Sequence, residues 1–530
     1  MIAILDGYVD EPSCLGVPPY ISPYPRYIAG MLEDLRIPWF YVTADEYRKN
    51  PAILEKAKKI IVIAGIAVPG KYLGGRPLGL AELPGIAPDK EKILVGPITL
   101  ELEKELDGYE VLRFPFEHEL YEVLGGRGED RSRNFVNRFA VLGAKVVRQH
   151  PDFPHVICEI ETYKGCYWGR CSFCIERIHM VSMRDPKAVI AEIKALYDQG
   201  VRHFRLGNQT DFFTYMADFD REFPRPNPEF MRNFHRAIWR ECPKIKTLHL
   251  DNVNPKTIAE YPEESREIIK TIVTYQTPGN VAAMGIESAD ERVIRENSLL
   301  ATPEEVMFTI KEINRYGRYA GHNGLPYFLP GVNFVFGLKG ETKRTFEENY
   351  SFLMELLDRG LMVRRVNLRQ VKVFPFTPMA RVGDRNVRRH KRYFRLFKEK
   401  IRRDFDRRML ERIVPRGRLL RDLRVETREG RVSFSRQLAT YPLLVGVYGE
   451  FERNEIVEAR VVDYGRRSIT AVPRVSINEV KMYQLLAIPG IGKATASEIL
   501  AKRPFKSLKE LEEVVGAEKA RILSMYLEIG

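Results

Sequence analysis

Residues 162–177 read TYKGCYWGRCSFCIER, and three of the chain's six cysteines, Cys166, Cys171 and Cys174, fall within them at the spacing C-x4-C-x2-C. Phe173 stands just before the last of these, and the segment follows a strand-like run, Val156–Glu161, so the three thiols share one short loop. Three thiolates can hold three corners of an iron–sulfur cube whose usual complement is four cysteines. The fourth iron is then open, able to bind a chelating small molecule and pass it an electron. The competing reading is a structural zinc site built from Cys166, Cys171 and Cys174, with Cys158 or His179 as a fourth ligand.

Length and composition bound what surrounds this loop. The chain has 530 residues, 44% of them hydrophobic, enough for about three or four domains with cores of their own. It contains no apolar run of about twenty residues, and the start MIAILDGYVD lacks the basic region and small-residue cleavage site of a signal peptide. A cytoplasmic protein without membrane association is expected. Six cysteines in so long a chain, three of them bunched, are not a disulfide framework. Cys14 and Cys242 have no ligand partners nearby in sequence, and Cys158 reads as a buried strand residue. A formal net charge of +13 favours a polyanionic partner.

Residues 1–150 alternate strands (Ile2–Leu5, Phe40–Thr43, Lys59–Gly65, Ile93–Val95) with helices such as Tyr27–Leu35, the pattern of a Rossmann-like parallel sheet. A ligand there would meet the carboxyl ends of the strands, at Asp6, Gly7, the loop 65–75 and Gly96-Pro97. Residues 151–383 repeat strand–helix units, with a helix over Pro186–Gln199, and predict a partial or full parallel (β/α) barrel. The strand ends turn polar in LGNQTDFF at 206–213, MGIES at 284–288 and FGLKGET at 336–342. On that rim Glu287 and Ser288 can exchange hydrogen bonds with a ligand that Gly285 lets approach. The plainer alternatives are an arginine salt bridge for Glu287, and a tight turn with a helix-capping carboxylate for Gly340 and Glu341.

The cysteine loop and these three segments, in this order, resemble the radical S-adenosylmethionine (SAM) superfamily, whose loop is usually one residue shorter in the first gap. The resemblance spans roughly 230 residues. It implies that Cys166, Cys171 and Cys174 bind a [4Fe–4S] cluster, and that Gly207, Asn208, Gln209, Gly285, Glu287, Ser288 and Asn333 line the SAM site. The amino-terminal pattern is similar to cobalamin-dependent members of that superfamily but lacks their D-x-H-x-x-G signature, which leaves cobalamin optional. It also lacks the cysteines that hold a second cluster in tRNA methylthiotransferases.

Residues 384–424 place Phe394, Phe397, Ile401, Phe405 and Met409 at helical spacing among many arginines and lysines, a basic amphipathic helix packed against the barrel. Residues 425–475 alternate with period two and predict a small antiparallel barrel. GEFERNEIVEARVVDYGRRSITAVP resembles a TRAM domain, an oligonucleotide-binding-like barrel, with Arg453, Arg460, Arg466 and Arg467 as candidate phosphate contacts. Within 476–530, LLAIPGIGKATASEIL closely resembles a helix–hairpin–helix motif, and a weaker copy follows. Gly490 and Gly492 free backbone N–H groups toward a phosphate there, and Lys493 adds charge. A protein-docking role is the alternative for this module.

Together these readings imply an α/β radical SAM enzyme that modifies RNA, most plausibly a tRNA base, by methylation or related C–H chemistry. It would need an electron donor, and DNA is not excluded as the nucleic acid. The rival readings are a radical SAM enzyme acting on a small molecule or protein, and a non-catalytic metal-stabilised nucleic-acid-binding protein.

Overall fold

The computed structural model describes residues 1–9, 16–66 and 74–529. Cys14 and most of the 65–75 loop lie outside these.

The amino-terminal unit contains β1 (Ile2–Asp6), β2 (Tyr20–Ile21), β3 (Trp39–Thr43), β4 (Lys59–Ile63), β5 (Glu91–Val95) and β6 (Glu110–Val111). Five of them form a parallel sheet in the order β3-β1-β4-β5-β6. Parallel strands buried on both faces read as continuous apolar runs, and β1 shows why. Ile2 and Ile4 enter the large core on one face, while Ala3 and Leu5 enter a second core on the other.

β2 leaves this sheet and pairs with the next one, Tyr20 beside Ile157 and Ile21 beside Cys158. That sheet comprises β7 (Ile157–Glu161), β10 (His203–Gly207) and β11 (Thr247–Leu250), in the order β11-β10-β7-β2. Between β7 and β10, the short ribbon of β8 (Tyr163–Lys164) and β9 (Ser182–Met183) brackets the cysteine loop. A single bridge, Asn252 to Ala283, continues the arc into β12 (Asn280–Glu287), β13 (Phe328–Phe336) and β14 (Arg365–Gln370). The result is an open parallel barrel whose free edges are β2 and β14. Its strands alternate as burial requires: Cys158, Ile160, Phe204 and Leu206 pack outward in the core, while Glu159 and Arg205 pair on the inner side.

The helix Arg385–Ile401 runs through a π turn, Arg402–Asp406, into Arg407–Ile413. Phe397, Ile401, Phe405 and Met409 are buried and Phe394 packs beside them. Phe397 meets Phe336 of β13 at 5.2 Å between ring centroids, so the apolar stripe seals the barrel wall.

The small barrel closes in the order β15-β16-β17-β19-β18 from β15 (Leu419–Glu429), β16 (Val432–Arg436), β17 (Leu444–Tyr448), β18 (Ile456–Tyr464) and β19 (Ser468–Pro473). Its first strand starts at Leu419, within the stretch read as a helical linker, because Leu420, Leu423 and Val425 bury, Arg421 and Asp422 face out, and Arg424 is buried against Asp152. β17 and β19 pair in parallel, the other pairs antiparallel.

The segment between β16 and β17 closes one end of the large barrel. Tyr20 OH donates to Ala439 O, Thr247 Oγ1 to Leu438 O at 2.8 Å, and Tyr441 OH to Asp251 Oδ1 at 3.2 Å. Four helices (Met482–Leu485, Lys493–Lys502, Leu508–Val515, Ala517–Ser524) end the chain, and their core continues into Val462 and Val472 of the small barrel. Among the described residues, no helix is long and apolar enough to cross a membrane.

Candidate functional site

The cysteine loop leaves the carboxyl end of β7, at the mouth of the open barrel. Gly165 (φ 93°) and Gly169 (φ 58°) adopt left-handed backbone that favours glycine, and Gly169 turns the chain within the longer first gap. The loop is pinned to the end of the short helix Glu291–Glu296 that follows β12: Trp168 Nε1 donates to Ser298 O at 2.8 Å, and Ser172 Oγ to Asn297 Oδ1 at 2.7 Å. Asn297 in turn donates to Lys339 O at 2.8 Å, tying three strand ends together.

Cys166, Cys171 and Cys174 are half-buried. Burial pushes all three thiols above their ordinary range, Cys171 up to about 12; Cys166 adds to the shift at Cys171, and Glu176 and then Cys171 add to that at Cys174. Such thiols give up their protons when a cation replaces them, as coordinated iron does. Among the described residues, no three His, Cys, Asp or Glu side chains are arranged to hold a metal ion. Cys158 is fully buried on the outer side of β7, and His179 lies edge-on to Phe114 at 5.4 Å. Three free thiols on one loop are the donor type and number that three irons of a [4Fe–4S] cluster would take, one each.

Opposite the loop, β12 ends in a bulge between Gly285 and Glu287. Glu287 has φ 58°, and its Oε2 is buried without a hydrogen-bond partner. Desolvation alone raises its pKa to about 8, so at neutral pH the carboxyl is mostly protonated and can donate as well as accept. No arginine salt bridge to Glu287 forms among the described residues. A Cβ on Gly285 would overlap Glu287 Oε1, so glycine keeps the carboxyl in place. Asn333 lies beside Gly285 on β13, and Ser288 Oγ accepts from Asp290 N at 3.1 Å.

On β10 a Cβ at Gly207 would overlap Glu159 Oε1. Asn208 (φ 58°) donates to Glu161 Oε2 at 2.5 Å and accepts from Lys164 Nζ at 2.9 Å. Gln209 Oε1 accepts from Thr162 Oγ1 at 3.2 Å. These amides are committed to holding the floor beneath the loop. Glu341 does not cap a helix. It accepts from Gly337 N at 2.6 Å and pairs with His390 Nδ1 at 2.8 Å, while Thr342 is the N-cap of the helix that follows.

Sequence reading passed over the barrel interior. Arg205 pairs there with Asp251 and stands 3.7 Å from Glu159. Burial raises Glu159 to about 8 although Arg205 opposes the shift. The signal was present in HFRLG and TLHLD, apolar strands whose alternate positions carry charge. Asn297 and Ser298, which anchor the loop, had no comparable pattern.

At the carboxyl terminus, Gly490 (φ 84°), Gly492 and Lys493 are exposed at the start of the helix Lys493–Lys502. The four candidate arginines differ in their partners. Arg453 pairs with Asp152, Arg460 donates to Gly417 O at 3.1 Å, Arg467 lies 3.8 Å from Asp406, and Arg466 is exposed.

Set beside known proteins, the chain is 59% identical over 539 residues to an uncharacterized protein of Archaeoglobus fulgidus, covering 100% of this chain and 99% of that one. It is 43% identical over 500 residues to the uncharacterized protein MJ0274 of Methanocaldococcus jannaschii, covering 88% and 92%. The chain belongs to the family of these archaeal proteins. No protein-family model matches it. Among solved structures, the radical S-adenosylmethionine methyltransferase TsrM from Kitasatospora setae, with tryptophan substrate and a SAM analog bound, aligns at 16% identity and TM-score 0.48, covering 71% of this chain and 74% of that one. The cobalamin-dependent S-adenosylmethionine radical enzyme OxsB aligns at 11% and TM-score 0.48, covering 74% and 61%. Likenesses this distant leave the reading of this family's site to its own residues.

Proposed function

We propose that the protein is a radical SAM enzyme that methylates, or otherwise functionalises at a C–H position, a base of RNA, with tRNA as the substrate class. The observation that carries the catalytic half is the pairing of a three-cysteine loop at the barrel mouth with an unpartnered buried carboxyl, Glu287, across from it. Cys166, Cys171 and Cys174 would hold a [4Fe–4S] cluster, which would supply the one-electron reduction of SAM that this chemistry requires.

The chain's own groups do the rest. Glu287 offers a hydrogen bond to the polar part of SAM, Gly285 admits it, and Trp168 and Ser172 fix the loop against Asn297 and Ser298. Cobalamin belongs to the reading as a methyl carrier in the amino-terminal unit. Within residues 1–150 the histidines are His118 and His150, neither of them in a D-x-H-x-x-G signature.

The RNA half rests on the basic balance, the TRAM-like barrel and the helix–hairpin–helix-like end with Gly490, Gly492 and Lys493 exposed. A second reading, a small polar substrate, is favoured by the charged barrel interior of Glu159, Arg205 and Asp251. Nucleoside mass spectrometry of RNA from a strain lacking the gene separates the two. Loss of a modified nucleoside supports RNA, and an unchanged profile with deoxyadenosine still formed from SAM by the purified protein supports the small molecule.

A further inference from the structure

A cavity of about 610 Å³ lies where β14 meets the helix through Asp406 and the small barrel. It opens at the amino-terminal end of β14, the opposite end of the barrel strands from the cysteine loop. Four guanidiniums line it, those of Arg364, Arg365, Arg436 and Arg467, against one carboxylate, Asp406. Phe405, Met409, Leu410 and Ile413 supply an apolar wall.

The positive charges are poorly compensated. Arg364 donates to Tyr441 O at 2.7 Å, and among the described residues no carboxylate pairs with it. Arg365 lies over the Tyr441 ring at 3.8 Å. Arg436 Nε is held by Glu426 at 2.9 Å, yet its Nη2 is buried with no partner at all. Among the described residues, the ion pair of Arg467 is with Asp406, at 3.8 Å. Burial, then Arg467 and Arg365, push Arg364 down to about 9, as expected of a cation short of a counter-ion. Buried charge without a partner is costly, and arginine forks match phosphate oxygens in pairs.

We propose that this cavity is a binding site for a phosphate ester carrying an apolar or aromatic body. The phosphoryl oxygens are held by Arg364, Arg436 and Arg467, and the body lies against Phe405, Met409 and Leu410. A mononucleotide and the 5′-phosphate end of an oligonucleotide share this chemistry. The inference stands apart from the reading of the cysteine loop, since it requires neither cluster nor SAM.

The test is titration calorimetry on the full chain with adenosine, adenosine 5′-monophosphate, and a trinucleotide with and without its 5′-phosphate. Binding that depends on the phosphate is expected, weakened roughly tenfold by Arg467→Ala and by Arg364→Gln. Arg467 is half exposed, so its removal spares the fold, and Arg407→Ala serves as a surface control with no expected effect. Preference for the mononucleotide identifies a free nucleotide, and preference for the phosphorylated trinucleotide identifies a strand end. Equal binding of phosphorylated and unphosphorylated ligands, no binding at millimolar concentration, or full binding by folded Arg467→Ala would overturn the proposal.

Discussion

Gly285 and Glu287 are a matched pair: the carboxyl oxygen Oε1 of Glu287 occupies the space where a Cβ on residue 285 would lie. Glu287 cannot readily move aside, because it sits at φ 58° on a bulge and its Oε2 is buried. Gly285→Ala is therefore expected to cost about 1–3 kcal/mol of stability and to weaken SAM binding. Glu287→Ala in the same chain should recover most of the stability but not the SAM affinity. Additive losses in the double variant, read by denaturant unfolding, would show that the two positions do not compete for space.

The helix that follows the cysteine loop is tied to the amino-terminal unit by a buried triad. Glu192 accepts from Arg26 Nε at 2.8 Å and from Arg184 Nη1 at 2.7 Å, and all three side chains are fully buried. Removing the carboxylate leaves two buried cations. Glu192→Ala should destabilise by about 3–5 kcal/mol, measured as a fall in the urea midpoint. A change inside experimental scatter would mean that the arginines find other partners.

Asp6 gives the amino-terminal sheet a pH dependence. Burial raises its carboxyl from 3.8 to about 6, against hydrogen bonds from Tyr41 OH and Tyr8 N. Between those values the folded chain holds a proton that the unfolded chain has released. Its contribution is thus complete below about pH 4 and is lost as pH rises through about 6, a difference worth roughly 3 kcal/mol. In Asp6→Asn the curve of stability against pH should be flatter over that window, and an unaltered curve would assign the slope to other groups.

For nucleic acid, Lys493→Ala should weaken RNA binding across unrelated sequences and lower the slope of log affinity against log salt by about 1. Filter binding at several salt concentrations reads this directly. An unchanged slope would take the Lys493 side chain away from the phosphates.

Much of the architecture was written locally. The runs IAILD, KIIVI and HFRLG announce parallel strands because both faces bury, and Phe397, Ile401, Phe405 and Met409 announce the sealing helix by their spacing. The three cysteines announce their loop for the same reason: neighbours in sequence are neighbours in space. What could not be read was long-range. Tyr441 reaches Asp251 across 190 residues, β2 leaves its own sheet to pair with β7, and Asn297 holds Ser172 from 125 residues away. Glu341 shows the same limit, since His390, the partner that takes it away from the helix start, belongs to another element.

The most direct test of the central claim is electron paramagnetic resonance on anaerobically purified protein reconstituted with iron and sulfide, reduced, and recorded with and without SAM. Expected are about four irons per chain, a reduced-cubane signal that changes when SAM is added, and loss of that signal when Cys166, Cys171 and Cys174 are all changed to alanine. A signal that survives the triple substitution, or a cubane whose spectrum is indifferent to SAM, would contradict it.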